Sequence, residues 1–287
     1  MRRILLLSAA LLAGSFSFAQ VAYTTDFSGL TIGNVGTDLT GITPGQGMFL
    51  TTATNGVAPT TTTNSNNNNF QIVDAGATQG LALQLTGPNG DKGNKIITQA
   101  GLPEFWTART PGNNIIEIEY DFFTGPATTS LNNMRFVVFD PTGTKILCGL
   151  SMVMSTKVLS GVAYYDATAS PGGIVGNYLF FLGVGNTNLV LPDNTWVRIG
   201  CSYNYTTGQV RWKGANFNGQ VPGAAMLNNP QAANIMATTG GATNALASSA
   251  MYDGLVIRAS STDTLLELKD ILPLLPYLFI QIQLAMF

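Results

Sequence analysis

The sequence predicts an all-β fold, a two-layer antiparallel sandwich. Three observations predict it. Short runs of alternating apolar and polar residues recur along the chain, with turn residues between them. Only one brief stretch, Asn228–Met236, reads as helical. No period of 20 to 50 residues stands out, which argues against a solenoid or a propeller.

The runs appear in order. Val21–Phe27 reads as a first short strand, followed by Met48–Thr52, Phe70–Val73, Leu81–Leu85 and Lys95–Gln99. Thr60–Asn69 is a Thr/Asn tract and reads as a surface loop, and Pro88-Asn89-Gly90-Asp91 as a turn. The clearest strand is Asn114–Phe123. Ile116, Ile118, Tyr120 and Phe122 point one way, and Glu117, Glu119, Asp121 and Phe123 the other, as a half-buried strand requires. Met134–Phe139 and Lys145–Met154 flank the turn Asp140-Pro141-Thr142-Gly143 and form a hairpin. Val158–Tyr165, Tyr178–Val184, Trp196–Tyr205, Gln209–Lys213 and Met251–Ala259 complete the series.

The ends differ from this body. Arg2 and Arg3, the short apolar run Ile4–Leu12, and the small residues Ser17 and Ala19 form the three parts of a secretory signal peptide cut before Gln20. The run is too short to span a bilayer. The expected organisation is therefore a signal peptide at 1–19, a sandwich domain at 20–262, and a polar linker with an apolar tail at 263–287. The expected location is outside the cell or on its surface.

Composition narrows the chemistry. Charged residues are 10% of the chain and the net charge is −2, so there is no basic surface to neutralise nucleic-acid phosphates. Histidine is absent, which excludes Ser-His-Asp hydrolysis, Cys-His proteolysis and His-ligated metals. No cofactor is implied. The two cysteines, Cys148 and Cys201, lie in strand-like runs. In an exported protein they either pair as a disulfide or stay as buried thiols.

The segment Asn194-Thr195-Trp196-Val197-Arg198-Ile199, Tyr203 to Trp212 with Thr207-Gly208, and Phe217-Asn218-Gly219 resembles the hairpin of concanavalin A-like lectin/glucanase jelly rolls, including the laminin-G-like group. Asp26-Phe27-Ser28-Gly29 and Tyr252–Ile257 fit the same pattern, so the resemblance spans roughly Val21–Ala259. It implies a jelly roll whose first and last strands are neighbours. The family holds sugar binders, glycoside hydrolases, polysaccharide lyases and adhesion modules, and with the export signal the first reading is an exported, non-catalytic binding or adhesion module whose partner is a polysaccharide or cell-surface glycan. Tyr203, Tyr205, Trp212 and Asn216 are the candidate sugar-binding surface, with cross-strand packing the competing reading. Asp26 and Asp253 are candidates for a structural calcium ion, although calcium wants six to eight oxygens.

Two other functions stay open. A glycan-active enzyme would use Glu117 and Glu119, with Asp121 beside them. Carboxylates two apart on a strand stand about 7 Å from each other, a spacing suited to an inverting pair. The simpler reading of these acids is a solvated outer face. A purely structural surface protein is the other alternative.

Ile271–Phe287 is almost wholly apolar. As a membrane helix it is short and carries Pro273 and Pro276, and as an outer-membrane strand it cannot close a barrel alone. A third reading is a frameshift. One back-translation of Tyr277–Gln283, shifted by a base, encodes Ser-Ile-Tyr-Ser-Asn-Pro, which resembles the start of a type IX secretion C-terminal sorting domain. That reading adds the secretion machinery as a partner.

Overall fold

The computed structural model describes residues 19–54 and 65–266. The expected signal peptide, the first half of the Thr/Asn tract and the apolar tail lie outside these residues, apart from Ala19.

The described strands are β1 (Gln20–Thr25), β2 (Gly33–Asn34), β3 (Phe49–Thr54), β4 (Phe70–Asp74), β5 (Leu81–Thr86) and β6 (Asn94–Gln99). After the short helix α1 (Leu102–Ala108) come β7 (Ile115–Phe123), β8 (Asn133–Phe139), β9 (Ile146–Val153), β10 (Val158–Asp166), β11 (Val175–Phe181) and β12 (Leu189–Val190). Then follow β13 (Trp196–Asn204), β14 (Gln209–Gly214), β15 (Phe217–Pro222), β16 (Ala232–Thr238) and β17 (Ser249–Ser260). They form two antiparallel sheets. The first runs β15-β14-β13-β7-β17-β5-β4-β2, with β1 also on β17. The second runs β11-β10-β9-β8-β16-β6-β3, with β12 on β10. The architecture is the expected all-β, two-sheet antiparallel jelly-roll sandwich. Its first and last strands pair through Gln20↔Ala259 to Thr25↔Leu255.

One apolar core fills the space between the sheets. It includes Ile116, Ile118, Tyr120 and Phe122 from β7, Phe136 and Val138 from β8, Leu147 and Leu150 from β9, and Tyr252 and Ile257 from β17. Burying each such side chain contributes on the order of 2 kcal/mol. The period-two pattern read from β7 therefore predicts its core face. In β17, Gly254 takes a φ of +51°, and the register shifts between Asp253 and Val256. This bulge lets the strand leave β5 and continue on β1 while staying paired with β7.

The helix expected at Asn228–Met236 is not formed. Pro230 breaks the local pattern, and Ala233, Ile235 and Ala237 alternate into the core as β16, paired with β6 and β8. The helix that does form, α1, caps one end of the sandwich and buries Leu102 and Trp106.

Candidate functional site

The acidic strand face comes first. In β7 the outward residues Glu117 and Glu119 are as buried as the core, at 0% and 2% exposure. The simpler sequence reading gave them to solvent, and the structure buries them instead. Across the sheet from Glu117 lies Arg258 of β17, whose Nε donates to Glu117 and whose second nitrogen donates to Glu119. Arg198 of β13 adds a bond to Glu119 at 3.0 Å and stands 3.7 Å from Asp121. The segment after β17 then folds across this face. Ser260 and the Thr264 hydroxyl each donate to Glu117 at 2.9 Å, and the Thr264 N–H does so at 2.6 Å. The Leu266 N–H donates to Glu119 at 2.6 Å. Ser202, Arg211 and Lys213 hold the same segment from β13 and β14, through Asp263 and the Leu265 carbonyl. Residues expected to begin a linker thus form a strap bound across the sheet.

Burial pushes the Glu117 carboxyl up, against the pull of Arg258 and its hydrogen-bond donors. Burial also raises Glu119, but Arg258, the Leu266 N–H and Arg198 together outweigh it and leave that carboxyl below its ordinary value. Both carboxylates accept hydrogen bonds from several donors.

Beside the cluster is a cavity of about 590 Å³, lined by Val21, Thr24, Asp26, Val256, Arg198 and Glu119 among others. Its walls are mainly apolar, and its two arginines, Arg198 and Arg258, are already engaged by carboxylates. Asp26 lies at this cavity, and the Ser28 hydroxyl and N–H bound to it hold its carboxyl below the ordinary value. Asp253 is buried and accepts the Gly254 N–H at 2.6 Å. Among the described residues no three or more Asp, Glu, Cys or His groups converge in a way that could hold a metal ion.

A second concavity lies at the open end of the sandwich, between the edge strands β11 and β15. It has a volume of about 390 Å³ and is lined by Leu179, Phe180, Phe181, Asn186, Trp212 and Gln220, with Leu182, Gly219 and Val221. No charged side chain lines it. Trp212 stacks on Phe180 at 5.2 Å between ring centroids, and Tyr165 meets Phe180 edge-on at 5.4 Å. The indole fits because β10 carries Gly161 opposite it, where a Cβ would come within 2.5 Å of the ring. Phe181 is 61% exposed. Asn186 sits in a tight turn at φ +60°, which asparagine tolerates better than most residues. The Trp212 Nε1–H is buried and finds no acceptor among the described residues. An unmet buried donor costs about 1–3 kcal/mol.

The predicted sugar-binding residues are thus dispersed. Tyr203 is fully buried, and its hydroxyl donates to the Ala225 and Asn228 carbonyls, so it belongs to the core rather than to a surface. Tyr205 packs on Trp106 at the α1 end, 5.9 Å between centroids. Asn216 lies exposed in the β14–β15 turn. Trp212 is 1% exposed, yet it lines the groove. The partners that make that groove, Phe180, Phe181, Asn186 and Gln220, escape sequence reading. The alternation in Tyr178–Val184 is their one local signal. Cys148 of β9 and Cys201 of β13 are free thiols, both buried in the core. Burial, with Cys201 beside it, pushes the Cys148 thiol well up.

No protein-family model matches this chain, and no curated protein matches it. Among solved structures it is similar to a CBM2 module of an evolved Dit from Lactobacillus casei BL23 phage J-1 (TM-score 0.47, 13% identity, 86% of this chain and 98% of that one). It is also similar to the alginate lyase vAL-1 from Chlorella virus (0.45, 9%, 66% and 88%). A third is the binding domain of botulinum neurotoxin DC in complex with SialylT (0.44, 10%, 71% and 43%). The chain spans less than half the length of that toxin chain. The fold assignment stands on the strand pairing itself.

Proposed function

We propose that this protein is an exported, non-catalytic binding module and that the groove between β11 and β15 takes neutral carbohydrate. The observation that carries this reading is an uncharged groove walled by Phe180, exposed Phe181 and Trp212, with the amides of Asn186 and Gln220 at its lining. Sugars present apolar C–H faces and hydroxyl edges. Exposed Phe181 offers a ring for the first, and Asn186 and Gln220 offer donors and acceptors for the second. The absence of lining charge favours a neutral glycan over an acidic one.

A concanavalin A-like relationship forms part of this reading. The pairing of β1 with β17 and the hairpin of β13 with β14 support it. Export and a type IX sorting tail rest on the two termini. N-terminal sequencing of the mature protein tests the first, and a coding frame running past the stop tests the second. The binding claim is tested by titrating wild type and Phe181→Ala against neutral and acidic oligosaccharides. Binding of a neutral series that Phe181→Ala weakens about tenfold supports the groove. A wild type that binds acidic glycans only, or none, overturns it.

A further inference from the structure

We propose that the ligand path does not end in this groove but continues over the edge strand β15 into a second depression, so that the module takes a linear neutral oligosaccharide rather than a terminal sugar. The inference rests on the carbohydrate reading of the first groove. The second depression, also of about 390 Å³, is lined by Thr207, Gln209, Gln220, Val221 and Pro222. Gln220 and Val221 line both concavities. They stand on one strand at the sheet margin, so the two concavities adjoin across it.

The chemistry is the same on both sides. The second depression also has no charged lining side chain, and apolar Val221 and Pro222 follow directly on the amide of Gln220. The Gln209 Nε2 donates to the Gln220 Oε1 at 3.3 Å and so orients that amide. A fixed amide keeps one donor pair and one acceptor for hydroxyls on either side. As an edge strand, β15 also has backbone N–H and C=O groups on its free side, next to the path a bound chain would follow. A ligand engaging both concavities gains the second contact without a second association cost, so affinity rises with chain length until both are filled.

The test uses the full protein and neutral gluco-, manno-, xylo- and galacto-oligosaccharides, from disaccharide to hexasaccharide, titrated by calorimetry. For the series that binds, hexasaccharide affinity is expected to exceed disaccharide affinity about tenfold or more. Gln209→Ala and Thr207→Ala are each expected to flatten that dependence on length. Unchanged melting temperatures confirm that both variants fold. Equal affinity for the short and long members, or a length dependence that survives both substitutions, overturns the second subsite and leaves the first groove standing. Failure of every neutral series to bind wild type removes the groove itself.

Discussion

Arg258 and Glu117 stand directly opposite each other on β17 and β7, and they bond on the outer face of the sheet rather than in the sandwich interior. What buries them is the strap that follows β17. Its Thr264 and Leu266 N–H groups end on Glu117 and Glu119. The ion cluster and the strap therefore depend on each other.

Replacing Arg258 by Met leaves two carboxylates buried without their main counter-charge. Breaking a buried pair in this way costs about 3–5 kcal/mol. Chemical denaturation should show a loss of that size, and limited proteolysis should show new cleavage near Thr264. A variant as stable and as protected as wild type would mean that the cluster is not closed in solution.

Lys95 gives the clearest pH dependence. It lies on β6, fully buried, and its Nζ has no hydrogen-bond partner. Burial lowers its pKa from 10.5 to about 8. The folded state thus disfavours the charged amine. The resulting cost is complete below pH 8 and fades as the pH rises from 8 toward 10.5. Lys95→Met should raise stability at pH 7 by on the order of 2 kcal/mol, and the gain should shrink by pH 10. Parallel stability curves for the two proteins across that range would refute the assignment.

Cys148 and Cys201 are both buried in the core, and Cys201 helps to raise the Cys148 thiol, so oxidation would join β9 to β13. A chain isolated from an oxidising compartment should lack reactive thiols after denaturation and weigh two hydrogens less than the reduced form. Closing that loop should stabilise the fold by about 4 kcal/mol. Two thiols titrating in the exported, unreduced protein would exclude the bond.

Gly161 tests the groove from behind. A methyl there would meet the Trp212 ring at 2.5 Å, and overpacking of that kind typically costs 1–3 kcal/mol. Gly161→Ala should shift the tryptophan emission and weaken sugar binding together. An altered spectrum with unaltered binding would detach Trp212 from the ligand.

The sandwich was legible because half-buried strands carry their burial in a local, period-two pattern, as Ile116 to Phe122 show. The second face of β7 was not legible. Glu117 and Glu119 look like solvated acids until Arg258 and Thr264, some 140 residues onward, are placed on them. Asn228–Met236 reads as helical for a similar reason, because β6 and β8 supply the hydrogen bonds of its strand from elsewhere in the chain. Of the proposed site, Trp212 was visible as an aromatic in a hairpin. Its stacking on Phe180 joins strands from different sheets, and no spacing along the chain encodes that.

The bulge at Gly254 fixes an order of events. Through it β17, the last of the described strands to be made, lies inside its sheet, with β7 on one flank and β5 and then β1 on the other. A ribosome-bound chain that has not yet released β17 has no partner for β1 and an open seam beside β7. Such a nascent chain cannot close its sandwich early, and contacts this distant in sequence form slowly. The sandwich therefore closes only after β17 has been released.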